Sequence, residues 1–319
     1  MRRSSPGRRF TLMAAYSRDC MIQRDMANPH VIAVRCVAPV GALLGEGPIW
    51  DPRIDRLIFV DIKGGKMFVH DPETETTEAI AAPWMVSALG LRRRGGYVCA
   101  SKEGFGRLSI ENGAVVLDPI VNPEANIPRN RFNDGKVDLA GGFWAGTMDD
   151  ADVGAAAGAW WRLSPSGAAA RIDDGFHVTN GPAFDADRGV VYFTDSARRI
   201  VFSAECAADG FRDKRVFAEF AESDGYPDGM DIDREGCLWI AFWDGACVRR
   251  LSPAGKRLEE TPLPVPRPTS IALVGDRAFV TSARIGLSAE QKAAHPLSGG
   301  LFELELAAPL SAEPKYFEG

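Results

Sequence analysis

Glu46 in GEGPIW, Asp134 in NRFNDGKVD, Asn180 in TNGPAFD and Asp228 in YPDGMDID each place an oxygen-bearing side chain directly before glycine. Carboxylates joined by an amide carbonyl form an all-oxygen donor set. Such a set suits hard divalent ions such as calcium, magnesium or manganese, and zinc where one position stays open to water. Brought together without a cation, these carboxylates would repel one another and be costly to desolvate. Taken singly, an Asp-Gly or Asn-Gly pair reads as an ordinary turn. Their shared phase argues otherwise, because turns would not all need an oxygen donor at the same point of a repeat.

That repeat is visible directly. The stretch LGEGPIWDPRIDRLIFVDI returns as VTNGPAFDADRGVVYFTDS. Glu46, Ser87, Asp134 (with Asn133 beside it), Asn180, Asp228 and Thr269 (with Ser270) follow one another in steps of 41 to 48 residues. A four-stranded propeller blade takes about 40 to 50 residues. Between the markers lie strands rich in Val, Ile, Phe, Tyr and Trp and bounded by Gly, Asp, Arg or Pro, among them LIFVDI, GYVCAS, GFWAGTM, VVYFTDS, CLWIAFW and AFVTSA. Only SAEQKAAH has the composition of a helix. The expected fold is all-β, a six-bladed β-propeller over residues 31–319, with VIAVRCV (Val31 to Val37) closing the last blade as its outer strand. In such a ring the strands that carry the markers line the central channel, so residues far apart in sequence converge at one mouth.

Composition sets the bounds. The chain has 319 residues, 45% apolar and 25% charged, with a formal net charge of -6. The acidic balance argues against nucleic-acid binding, which leaves a basic footprint. No apolar run approaches the roughly 18 to 20 residues of a membrane helix. The basic cluster Arg92 to Arg94 reads as a solvated loop. Six cysteines without a C-x-x-C spacing suit bystander thiols in a reducing compartment. Residues 1–30 read as a disordered leader, because the apolar run FTLMAAY is cut off by Ser17, Arg18 and Asp19 before it could serve as a secretory core. A cytoplasmic monomer is expected, acting on a small molecule and bound to neither nucleic acid nor membrane.

GEGPIW, NRFNDGKVD, FWAGTM, TNGPAFD and YPDGMDID, in this order and spacing, resemble the senescence marker protein, gluconolactonase and luciferin-regenerating enzyme group. These are six-bladed propellers that include regucalcin and bacterial sugar lactonases. The resemblance runs from about Val37 to Leu306. It implies one divalent metal ion held by Glu46, Asn180 and Asp228. It also implies that Arg131 and Asn133 bind substrate hydroxyls, with Asp134 adjacent in the pocket. One position departs: animal relatives carry an acidic substrate contact where equal spacing puts Ala151, flanked by Asp149, Asp150 and Asp152.

The expected activity is metal-dependent hydrolysis of a sugar lactone, with the ion (calcium, zinc, manganese or magnesium) polarising the ester carbonyl and Asp228 or Asp134 taking a proton from water. No G-x-S-x-G elbow is present, and His30, His70, His177 and His295 stand isolated, as surface or satisfied polar groups. Trp144, Trp239, Phe193 and Phe59 read as core between blades, and Trp50 and Trp243 as core or pocket neighbours. Three other readings share the fold: a metal-binding regulator of the regucalcin type, another metal-dependent esterase or phosphotriesterase, and a protein-interaction propeller that needs no converging carboxylates.

Overall fold

The strong strands of the sequence assemble around an axis in the computed structural model, which describes residues 29–319. Most of the expected leader, residues 1–28, lies outside the described residues. Strand β1 is Val31–Ala38. Blade 1 then holds β2 (Gly45–Asp51), β3 (Arg56–Asp61), β4 (Lys66–Asp71) and β5 (Thr76–Ala81). Blade 2 holds β6 (Ala88–Arg92), β7 (Tyr97–Ser101), β8 (Gly104–Glu111) and β9 (Ala114–Val121). Blade 3 is β10 (Asn130–Val137), β11 (Phe143–Asp149), β12 (Gly158–Leu163) and β13 (Ala169–Phe176). Blade 4 is β14 (Thr179–Asp185), β15 (Val190–Asp195), β16 (Ile200–Ala207) and β17 (Gly210–Glu219). Blade 5 is β18 (Tyr226–Ile232), β19 (Leu238–Trp243), β20 (Cys247–Leu251) and β21 (Arg257–Pro262). Blade 6 uses β22 (Pro268–Val274), β23 (Arg277–Ser282) and β24 (Leu301–Leu306), with β25 (Tyr316–Phe317) near the C-terminus.

Each blade is an antiparallel sheet in chain order, and the first strand of each packs beside the first strand of the next, from β2 through β6, β10, β14, β18 and β22 back to β2. The ring is a six-bladed β-propeller. As expected, β1 pairs with β24 and completes blade 6 from the other end of the chain. The helix expected at SAEQKAAH spans Ala289–Ala294, started by a capping box in which Ser288 Oγ accepts from Gln291 N. Among the described residues no helix is long and apolar enough to cross a membrane.

Packing explains why the second strand of every blade is so apolar: it is covered on both faces by neighbouring blades. The buried side chains sort into six clusters, one per interface between blades. Trp144, Phe193, Trp239 and Phe59 lie in them with at most 2% exposure, as the sequence indicates. The aspartate that ends the inner strand of several blades pins the following turn. Asp138 Oδ1 accepts from Ala140 N and Gly142 N while its Oδ2 accepts from Trp144 Nε1 and Arg162 Nε. Asp233 repeats this with Glu235 N, Cys237 N, Trp239 Nε1 and Arg250 Nε.

The chain end straps the mouth at which the inner strands finish. Ser311 bridges to Asp233 of blade 5, and β25 then runs parallel to β6 of blade 2, on the opposite side of the ring. This corrects the reading of the arginine cluster as a merely solvated loop. Arg92 Nε donates to the Gly319 carbonyl (3.1 Å), and Arg93 pairs with Glu318 and lies over the Tyr316 ring. The cluster is the dock for the strap.

Closure by β1 has a measurable consequence. Starting the chain at residue 39 instead of 29 removes the buried Val31 and Val34 together with the β1 to β24 ladder. At about 1.5 to 3 kcal/mol per fully buried valine, the melting temperature should fall by on the order of 10 °C, followed by circular dichroism. An unchanged melt would show that the ring closes without this strand.

Candidate metal and substrate site

The markers of the sequence repeat occupy irregularities of the inner strands. The register with the second strand slips between Glu46 and Ile49, between Phe132 and Asp134, between Asn180 and Ala183, between Pro227 and Met230, and between Pro268 and Ser270. A bulge re-aims the side chain it carries and leaves a backbone group unpaired. The regular exception is β6, preceded by Ser87. The glycines beside the markers therefore lie within strands, where they permit close approach. A Cβ on Gly229 would come within 2.2 Å of Ser270 Oγ on the neighbouring blade, and Gly181 sits at φ +85°. The latter's N–H donates to Asp134 Oδ2 (2.9 Å), so blade 4 holds a carboxylate of blade 3.

Glu46, Arg131, Asn133, Asp134, Asn180 and Asp228 are all buried, none exposing more than 7% of its surface. Burial pushes the Glu46 carboxyl well above the usual range, and repulsion from Asp228 and Asp134 adds to it. Asp228 is raised by burial and then by Asp134. Burial likewise brings Asp134 to about 6, against the opposing pull of Lys136 and the Gly135 and Gly181 amides. Asp228 Oδ1 is buried without a hydrogen-bond partner. Acids raised by burial and mutual repulsion, beside a buried carboxylate oxygen without a partner, fit a divalent ion.

Asn180 is aimed by its neighbours. Its Nδ2 donates to Ser196 Oγ (2.9 Å), which donates onward to the Pro227 carbonyl (2.6 Å), next to Asp228. Its Oδ1 accepts from Asn133 Nδ2 (2.8 Å) and keeps a second lone pair. The path continues outward: Arg131 Nη1 donates to Asn133 Oδ1 (2.6 Å), and Arg131 Nε to Asp150 Oδ1 (2.6 Å). Lys63, from the turn after β3, closes it on both oxygens of Asp150 (2.6 and 2.7 Å). Sequence reasoning missed Ser196, Lys63 and the role of Asp150. Ser196 alone left a signal, since it ends the repeated phrase that carries Asn180.

Other sequence candidates resolve plainly. Ser87 Oγ and Thr269 Oγ1 are spent on the carbonyls of Ala100 and Gly45. His177 pairs with Asp195, and His30 with Glu259. Trp50 lies toward the opposite end of the channel, in a cavity of about 330 Å³, and Trp243 lies under the Arg267 guanidinium. A separate acidic group, Asp233, Glu235 and Cys237, has metal-like spacing, but the Arg250 guanidinium already sits on Asp233 (2.8 Å) and Glu235 (2.5 Å). It is an arginine site.

These features define a class: a six-bladed propeller with a buried acid-and-amide cluster in its channel and a line of hydrogen-bond donors beside it. Residues 44–284 match the SMP-30/gluconolactonase/LRE-like region. The chain is 35% identical over 284 residues to regucalcin of Homo sapiens, covering 86% of this chain and 94% of that one. It is also 35% identical over 289 residues to the 6-deoxy-6-sulfogluconolactonase of Pseudomonas putida, covering 89% and 98%. The solved structure of regucalcin from Agrobacterium tumefaciens, described as a calcium-binding protein, superposes with a TM-score of 0.82 at 26% identity, covering 89% of this chain and 96% of that one. The chain belongs to the SMP-30/gluconolactonase/LRE-like family.

Raised carboxyl groups charge more readily in the unfolded chain than in the fold. The stability they contribute is complete below the ordinary carboxylate range and is lost as pH rises through their folded values, near 6 for Asp134. Without a divalent ion, Asp228→Asn should therefore melt several degrees above the wild type at about pH 8 and draw level toward about pH 5. Added divalent ion should reverse the order at pH 8. Scanning calorimetry with chelator and with metal checks both signs; a wild type that melts higher than the variant under chelator contradicts the reading.

Proposed function

We propose that the chain hydrolyses a sugar lactone, using one divalent cation held by Glu46, Asn180 and Asp228. The observation that carries this reading is the unpaired, buried Asp228 Oδ1 among mutually repelling carboxylates, beside the Arg131 guanidinium and the Asn133 amide. Family membership and the name of the Pseudomonas putida relative support a lactone as the substrate. When bound, the cation supplies Lewis acidity to the ester carbonyl and its developing negative charge, worth several kcal/mol.

The chain's own groups do the rest. Arg131 and Asn133, locked by their mutual hydrogen bond, orient the sugar hydroxyls so that the ester lies over the acid cluster, and such placement supplies much of the rate. Asp134 is held at both oxygens by the Gly135 and Gly181 amides, and its raised proton affinity suits a group that accepts a proton from water near neutral pH. Asp228 is the other acceptor within the cluster. Calcium, magnesium, manganese and zinc all suit the oxygen donors. The product is the open-chain aldonic acid, released by a chain that acts as a monomer.

A second reading has its own support. The regucalcin names, one with calcium binding in its description, favour a metal-binding protein without turnover. The two separate on glucono-1,5-lactone: the metal-loaded chain should accelerate opening well above the buffer rate. Glu46→Gln and Asp228→Asn should lower kcat/KM by about 10³ or more, and Arg131→Lys should act mainly by raising KM. Asp134→Asn should lower kcat by roughly 10² to 10⁴ and remove the limb of the pH profile near 6. Full turnover of Asp134→Asn and Asp228→Asn with metal bound would remove both from the proton-transfer role.

A further inference from the structure

The hydrogen-bond path from the acid cluster ends in a charged clasp. Lys63 and Asp150 come from blades 1 and 3 and meet across blade 2, with about a quarter of each side chain exposed (25% and 27%). Both sit at the mouth that carries Glu46, because Asp61 and Asp149, which close the strands before them, pair with Gly45 and Asn130. The lysine turn is rigid. Asp61 Oδ1 accepts from Leu44 N (3.0 Å) and Gly64 N (2.8 Å), and its Oδ2 accepts from Leu43 N (2.9 Å). The Asp150 loop is held in the same way, with Asp149 Oδ1 accepting from Ala151 N and Asp152 N.

Two cations, Lys63 and Arg131, share the single carboxylate of Asp150, and Arg131 also faces the Glu46 and Asp228 carboxylates. An ammonium has three donors and the carboxylate engages two of them, which leaves one for the partly exposed side. Ala151 presents only a methyl group beside the clasp. Along the path the order is Asp228 and Asn180, then Asn133, Arg131, Asp150 and Lys63, so a sugar with its ester at the acid cluster points its far carbon toward the lysine.

We propose that Lys63 is a specificity-determining residue: with Arg131 it makes the distal end of the site cationic and selects sugar lactones that carry an anionic group on the carbon farthest from the ester. This rests on the lactonase reading for the direction in which the sugar lies. A built-in ion pair serves the purpose because Asp150 holds the ammonium in place before substrate arrives, so little ordering remains to be done on binding.

Binding of non-hydrolysable sugars separates this inference from the catalytic one. D-glucuronate and D-glucose differ at that far carbon, and calorimetric titration of the metal-loaded chain should show glucuronate tighter by roughly five- to tenfold. The ratio should shrink in roughly 0.5 M salt. It should collapse toward one in Lys63→Met and persist in Lys63→Arg. Equal binding of the two sugars by the wild type overturns the proposal. So does a Lys63→Met variant that weakens both sugars alike, which marks a structural clasp, or one that keeps the ratio, which places the carboxylate on the metal. Turnover of glucono-1,5-lactone with a ratio of one sinks Lys63 alone. A clear ratio without turnover of any lactone sinks the hydrolase reading and leaves Lys63 as the anion-selecting residue of a binding site.

Discussion

Everything at the axis of this propeller answers to the repulsion among Glu46, Asp134 and Asp228, three carboxylates taken almost wholly out of water. Burying one unpaired charge is already costly, and grouping three multiplies the penalty. The chain offsets part of it with local dipoles: the Gly47 amide on Glu46, the Gly135 and Gly181 amides on Asp134, and the Gly229 amide on Asp228. These amides leave Asp228 Oδ1 without a partner. In the reading proposed here, a divalent cation is the compact way to supply what remains.

A cluster under that tension needs a stiff frame. Six apolar interfaces supply it, each sealed by second strands buried on both faces, and the aspartates at the inner-strand turns tie backbone amides to a tryptophan and an arginine in blades 3 and 5. Ring closure by β1 and the strap of Ser311 to Phe317 removes the two ends at which such a ring would open. The two mouths are accordingly unlike. One is tied by the strap, and the other keeps the acids, the donor path and the charged rim.

How much of this was legible in the sequence depended on distance. The blades follow from one repeat and the short helix from its composition, and the repeat also marks Glu46, Asp134, Asn180 and Asp228 as chemistry-bearing positions, whereas the choice of Glu46, Asn180 and Asp228 as a metal set comes from the family resemblance. Asn133 and Asp134 could not be told apart, and the reason is physical: the slip in β10 buries both, one toward Asn180 and one toward Gly181. Partnerships between blades left no trace. Lys63 meets Asp150 across 87 residues, and Arg92 meets the chain end. The glycines were misleading in kind: a dipeptide that reads as a turn serves here as a gap through which neighbouring strands approach.

The central claim is that one cation compensates these acids, and locating it tests that most directly. Crystals of the chain grown with manganese, measured at a wavelength where the metal scatters anomalously, should show a single strong peak bounded by a Glu46 carboxylate oxygen, Asn180 Oδ1 and Asp228 Oδ1. A peak elsewhere, or none with all three carboxylates still in place, would contradict the account.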